Sequence, residues 1–350
     1  MRRRTFLAAG AGAAATGLAG CAGLLETQTA GIPPVLSDRP DAVYYPTHVE
    51  GMQMESMTTS GDYKLGLMYS YPHRFWTVSG TEAELVDIEP DDAVHLMVAV
   101  WDPETGIVLP DAGVSLEVTK DGDLVTEETI YAMLSQPMGF HYGANFPLEG
   151  TATYQVEVSV GGLSGVRTTG AFEGRFAEST TATLDLSYSE GEKEQIMYEN
   201  TQDRAGALEA VPPMETKMPL GVAPAQADLP GRALGAPKSG DAVLATQAVD
   251  ADRFGDGTYL AVSARSPYNR MVLPSMALRA TVARDGETVF DGDLTPTFDP
   301  ELHHHYGAAV ESIESGDEVT LTPTIPPQAA RHEGYETAFV EMAETTFTVA

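Results

Sequence analysis

The chain has 350 residues, and Lys+Arg 20 against Asp+Glu 51 leaves a net charge of −31. That length predicts two domains at roughly 100–200 residues each, and a hydrophobic share of 43% excludes a disordered chain. The acidity excludes non-specific nucleic-acid binding, which needs a basic face. Only five lysines occur (Lys64, Lys120, Lys193, Lys217, Lys238), and the acid excess is spread along the chain. Such a surface suits a halophilic protein, because repulsion is screened within about 3 Å at 1 M salt.

Residues 1–21 read as a twin-arginine lipoprotein signal. Arg2-Arg3-Arg4-Thr5-Phe6-Leu7 opens a short Ala/Gly-rich run that is too short and too glycine-rich to span a bilayer. Leu18-Ala19-Gly20-Cys21 resembles a lipobox, so Cys21 is expected to carry the lipid. It is the only cysteine, which excludes an intramolecular disulfide. The expected location is extracytoplasmic, at the cell surface, with the chain anchored to the membrane through Cys21. Residues 22–50 carry four prolines and little periodicity, and read as a tether.

From residue 51 the pattern becomes short alternating segments. His95-Leu-Met-Val-Ala-Val-Trp101, Gly113-Val-Ser-Leu-Glu-Val-Thr119 and Tyr154-Gln-Val-Glu-Val-Ser-Val160 each have a period near two. Lys120-Asp121-Gly122-Asp123 reads as a hairpin turn. Val108-Leu109-Pro110, Asp121-Gly122 and His141-Tyr142-Gly143-Ala144 recur 164 residues later as Val272-Leu273-Pro274, Asp285-Gly286 and His305-Tyr306-Gly307-Ala308. Between positions 108 and 144, 11 of 37 residues are identical at that offset, which implies a duplication. The predicted fold is all-β, with two tandem immunoglobulin-like antiparallel β-sandwich domains at 51–190 and 242–350. Residues 191–241, rich in Pro, Ala and Gly, form the linker region.

Chemistry-bearing residues concentrate in the first sandwich. His95 and Met97 share a strand face; Met133 lies eight residues ahead of His141. Imidazoles with thioethers form a soft donor set that suits copper, Cu(I) above all. Met on strands also fills cores and strand histidines are also structural, so composition leaves both readings open. No Gly-x-Ser-x-Gly or His-Glu-x-x-His occurs, and no enzyme activity is expected. Asp250-Ala-Asp-Arg-Phe-Gly-Asp-Gly257 lacks calcium-loop spacing and reads as a turn, and Phe75 and Trp76 read as packing residues.

Gly51-Met52, Val94-His95-Leu96 and Phe140-His141-Tyr142-Gly143-Ala144-Asn145 resemble the periplasmic iron-transport-associated copper/iron-binding family (the high-affinity Fe2+ transport protein family). The likeness spans roughly residues 50–187. It implies a dimeric immunoglobulin-like protein that binds copper and/or iron beside a membrane iron permease. By position it makes His95 and His141 metal ligands, with Met133 within one residue of the family's Met ligand; Tyr142 and nearby acidic residues are expected to stand behind them. Two departures matter: Met97 stands where the family has a carboxylate, and Val166 and Arg167 where it has a further His. The exchange softens the site and favours copper. In the second repeat Tyr259, Ala261 and Thr297 replace His95, Met97 and Met133, while His305 remains. Two readings stay open for that copy. It lost its site, or the two sandwiches mimic the family's dimer (a homodimer being the alternative) and His303, His304, His305 or His332 completes the first site. The expected function is therefore metal capture or delivery in iron transport, against the alternative of a metal-free surface scaffold or adhesion lipoprotein.

Overall fold

The computed structural model describes residues 33–350, so the signal segment and Cys21 lie outside the described residues. The first half forms β1 (His48–Glu50), β2 (Gln53–Ser60), β3 (Tyr63–Ser70), β4 (Phe75–Ser79), β5 (Glu82–Val86), β6 (Val94–Trp101) and β7 (Ala112–Lys120). It continues with β8 (Asp123–Thr129), β9 (Tyr131–Ser135), β10 (Gly139–Phe146), β11 (Ala152–Leu163), β12 (Arg167–Thr168) and β13 (Thr180–Tyr188). The second half forms β14 (Tyr198–Asn200), β15 (Arg232–Gly235), β16 (Lys238–Ser239), β17 (Ala242–Val249), β18 (Thr258–Arg265) and β19 (Ala277–Arg284). It ends with β20 (Glu287–Asp299), β21 (His303–Val310), β22 (Glu318–Ile325), β23 (Ala330–Arg331) and β24 (Thr345–Thr348).

The alternating sequence becomes two antiparallel sandwiches. In the first, sheet β2-β3-β6-β10-β9 packs on sheet β13-β11-β7-β8, and the tail strand β23 and β4-β5 extend the first sheet. The second runs β15-β17-β18-β21-β20-β19-β22-β24, the long β20 passing from one sheet to the other. Two-residue loops close the β7–β8 and β19–β20 hairpins. Asp121 and Gly122 (φ 54 and 89) and Asp285 and Gly286 (φ 52 and 83) take the left-handed conformation that such turns demand.

Register repeats at the 164-residue offset. Tyr142 lies opposite Val98 and Gly143 opposite Met97, as Tyr306 lies opposite Val262 and Gly307 opposite Ala261. The Tyr142 hydroxyl accepts from Ala112 N (2.9 Å) and the Tyr306 hydroxyl from Met276 N (3.0 Å). Asp111 and Ser275 are themselves 164 apart and hydrogen-bond each other. A contact between equivalent positions, together with the reciprocal pairings of β23 with β9 and β12 with β20, is the pattern of a two-fold relation between the halves.

The same relation governs how the halves exchange chain. β23 of the second half pairs in parallel with β9 of the first, and β12 of the first pairs in parallel with β20 of the second. His332 N donates to Leu134 O at 3.0 Å, and Thr169 N to Phe298 O at 3.0 Å. β6 is consequently buried along its whole length, on both faces. One face (Leu96, Val98, Val100) joins the sandwich core; the other carries His95 and Met97 under the exchanged tail.

Covering that second face takes more chain than the sequence pattern suggests. Val43, Tyr44 and Tyr45, expected in the tether, are buried, and β1 pairs with β14. Val211 and Met218 of the expected linker are also buried, and β15 and β16 both pair with β17. Gln136 ties these pieces together: its amide donates to Tyr44 O (2.7 Å) and Gly334 O (3.0 Å), and its carbonyl accepts from Val211 N (2.7 Å). Among the described residues no helix is long and apolar enough to cross a membrane.

Candidate metal centre

Strand alternation places His95 on β6 and His141 on β10 on the face turned away from the sandwich core. The tail brings His332 to the same place. The anchor is Arg331, fully buried, whose guanidinium donates to Ala329 O (3.0 Å), Ala338 O (2.8 Å) and Pro327 O (2.6 Å). Among the described residues, His95, His141 and His332 are the one group of His, Cys, Asp or Glu whose ligand atoms all lie within 4.8 Å of one another.

The chemistry of this cluster follows from where its protons sit. His95 Nδ1 is 2.8 Å from Asn145 Oδ1, and His141 Nδ1 is 3.2 Å from Gly139 O. Both partners only accept, so each proton is on Nδ1 and each Nε2 keeps its lone pair. The Asn145 amide is oriented by its own bonds: Nδ2 donates to His73 O (2.8 Å), and Oδ1 accepts from His73 N (3.1 Å). Nε2 of all three histidines is buried without a hydrogen-bond partner. Burial drives all three imidazoles below their usual range, His141 to about 4; neighbouring imidazoles push His332 the same way. They are unprotonated at neutral pH. Two convergent lone pairs, with a third neutral imidazole beside them whose Nε2 has no partner, are the kind of donor set that a metal fills, since buried polar atoms otherwise find partners.

Glycine makes the room. A Cβ on Gly143 would stand 2.6 Å from His95 Nε2 and 3.3 Å from its Cε1, so no other residue leaves His95 where it is. Metal–imidazole bonds of about 2.0–2.1 Å put ligand nitrogens about 3.3–3.6 Å apart. From a 4.8 Å separation, closure needs under about 0.7 Å of motion per nitrogen.

The second half shows the same position filled by protein. Tyr259, equivalent to His95, lies with its hydroxyl 3.2 Å from His305 Nε2 and 3.3 Å from Thr297 Oγ1. His305 Nδ1 donates to His303 O at 3.0 Å. Thr169, equivalent to His332, hydrogen-bonds Asp299 Oδ2 at 2.9 Å. His305 Nδ1 thus has an acceptor, and the Tyr259 hydroxyl covers its Nε2 where the first half leaves open space.

The structure sorts the sequence-derived residues. It gathers His95, His141 and His332. His303, His304 and His305 stay in the second half, His304 facing Asp111 at 3.4 Å, so of the proposed completing histidines only His332 arrives. Met97 lines the cavity beside His332. Met133 stands opposite His141 in the register, packed with Phe75 and Ala330. Tyr142 does not back the site as expected. It is one residue out of phase with His141, so its ring enters the sandwich core against Phe140. The supporting role belongs to Asn145 and the Gly139 carbonyl.

The acidic residues expected behind the ligands, not assignable from the sequence, are Glu50 and Glu333. His73 Nδ1 lies 3.0 Å from Glu50 Oε2, and His48 lies 3.5 Å from Glu50 and 3.6 Å from Glu333. The His73 ring lies 4.5 Å from that of His95, tilted by 51°. In the sequence His73 stands only as a histidine after Pro72, with no metal spacing around it.

Comparison with known proteins adds the following. Residues 55–184 and 227–348 match the family described as Domain of unknown function (DUF7350), and the chain belongs to that family. No curated protein matches. Among solved structures, as-isolated FetP of uropathogenic E. coli strain F11 aligns over 41% of this chain and 96% of its own, at 17% identity and a TM-score of 0.28. A copper-bound Glu-to-Gln variant of the same FetP aligns over 40% and 97%, at 20% identity and a TM-score of 0.29.

Proposed function

We propose that this DUF7350 member is an extracytoplasmic metal-binding protein whose cargo is a soft cation, copper before iron, held by His95, His141 and His332. The observation that carries the reading is the convergence of three buried, neutral imidazoles whose Nε2 atoms have no hydrogen-bond partner. Met97 beside them, in place of a carboxylate, favours Cu(I) over harder ions. We read the two sandwiches as a duplicated, single-chain version of a dimer in which one site survives and the other has been closed by Tyr259. The role is capture and delivery rather than catalysis, in iron or copper uptake, with the chain tethered through a lipidated Cys21 and a membrane iron permease as recipient.

The test is a copper and iron titration of the full chain in high salt, with His141→Ala and His332→Ala alongside. Binding near one equivalent, lost in both variants at intact folding, supports the reading. Absence of stoichiometric metal in the wild type would leave a tethered scaffold.

A further inference from the structure

A cavity of about 80 Å³ lies beside the three imidazoles, with His73, His332, Met97, Met138 and Met214 in its wall. At about 30 Å³ per water, that is room for a cation and one or two waters. Its wall combines imidazoles and three thioethers, the pair that suits a soft metal, with the carboxylates of Glu50 and Glu333 and the guanidinium of Arg74 beside them. His95 and His141 are buried to within 1% and do not line the cavity, whereas His332 does. A cation arriving through the cavity therefore meets His73 and the methionines before it meets the inner pair.

His73 is built for that position. Its Nδ1 lies 3.0 Å from Glu50 Oε2, the carboxylate–histidine pairing that orients metal ligands, and Nε2 is on the far side of the ring. Asn145 holds the His73 backbone through both its N–H and its carbonyl and also holds His95 Nδ1, so a single amide sets the spacing of the two rings. The Glu50 side chain is only 4% exposed, and its second oxygen, Oε1, has no hydrogen-bond partner. A carboxylate oxygen left so is costly, and positive charge entering the cavity relieves it.

We propose that this cavity is a second, outer metal station, in which His73 and the thioethers of Met97, Met138 and Met214 receive a soft cation and pass it to His95, His141 and His332. The inference rests on the metal-binding reading above. Transfer is ligand exchange alone: one donor lone pair leaves the metal as another binds, and neither the metal's oxidation state nor the protons on Nδ1 change.

The experiment uses the full chain and Cu(I) supplied from a competing chelator. Equilibrium affinity, loading rate by stopped flow, and X-ray absorption at one and two equivalents are measured for wild type, His73→Ala and Met138→Leu/Met214→Leu. The expected result is sulfur scattering that grows with the second equivalent and falls by more than half in the double variant, which keeps only Met97. His73→Ala should load at least tenfold more slowly, with first-equivalent affinity within twofold of wild type. Wild-type loading by His73→Ala, or a single equivalent without sulfur scattering, overturns the outer station while the inner site stands. Lost first-equivalent affinity in His73→Ala also overturns it, by making His73 an inner ligand. A wild type that takes up no copper instead removes the metal-binding reading itself.

Discussion

Gly143→Ala is the smallest change that separates metal binding from folding here. The added methyl would lie 2.6 Å from His95 Nε2, 3.3 Å from its Cε1 and 3.4 Å from Leu96 O. Ordinary contact begins near 3.4 Å, so the ring must retreat by about 0.8 Å. Leu96 O cannot yield because β6 is paired on both sides. Metal–ligand distances tolerate about 0.2 Å, and the retreat also pulls on the 2.8 Å bond from His95 Nδ1 to Asn145. One of three ligands is lost, and copper affinity should fall at least about 100-fold, the upper end of what weaker supporting changes cause. Stability should fall by at most about 2.5 kcal/mol: overpacking costs about 1–3 kcal/mol, partly offset by the gain of about 0.5–1 kcal/mol from replacing a strand glycine. Gly307→Ala is the matched control, since its methyl would lie 2.2 Å from the Tyr259 hydroxyl. It should destabilise the second half and leave copper affinity alone. Copper competition titrations and urea melts read both variants. Wild-type affinity in Gly143→Ala, or lost affinity in a folded Gly307→Ala, would refute the assignment of the site.

Three further predictions follow from other parts of the molecule. His141 and His305 are both fully buried and held at about 4, against about 6.5 when unfolded. The unfolded chain therefore takes up protons first as pH falls, so this stability is complete above about 6.5 and is lost towards pH 4, at most about 3 kcal/mol for each histidine. Urea melts of metal-free protein across that range should show it, and His305→Gln should flatten the slope; an unchanged slope removes burial as the cause. Arg331→Met strands three buried carbonyls and should cost about 3–5 kcal/mol. It should also weaken copper binding by loosening His332, which the same titrations would detect; full affinity would mean that His332 does not depend on this anchor. Met97→Glu places a carboxylate at a position 2% exposed, and the ratio of Fe(II) to Cu(I) affinity should rise. A constant ratio in competition assays would show that Met97 does not set selectivity.

Several features were legible from local sequence because local rules decide them. The period of two put His95 and Met97 on one face, and Asp-Gly pairs forced the hairpins through their left-handed backbone. The 164-residue recurrence foretold the matched registers of β6–β10 and β18–β21. Substitution of Tyr259 for His95 indicated which copy lacks the donor set. The Tyr142 expectation failed by the same period of two, applied one residue out of phase.

Tertiary structure alone decided how the site closes. His332 joins His95 and His141 only because β23 crosses to pair with β9, a contact that depends on the two-fold relation of the halves and on Arg331. No periodicity encodes it, and His303–His305 were equally good candidates by composition. Glu50 and His73 come from chain flanking the strands, where alternation carries no information about direction. Asn145 sits in a quoted motif, yet its role appears only when one amide is seen to hold two histidines. A donor set gathered from three distant segments is fixed by the free energy of burying both faces of β6, which is a property of the whole fold and not of any stretch of sequence.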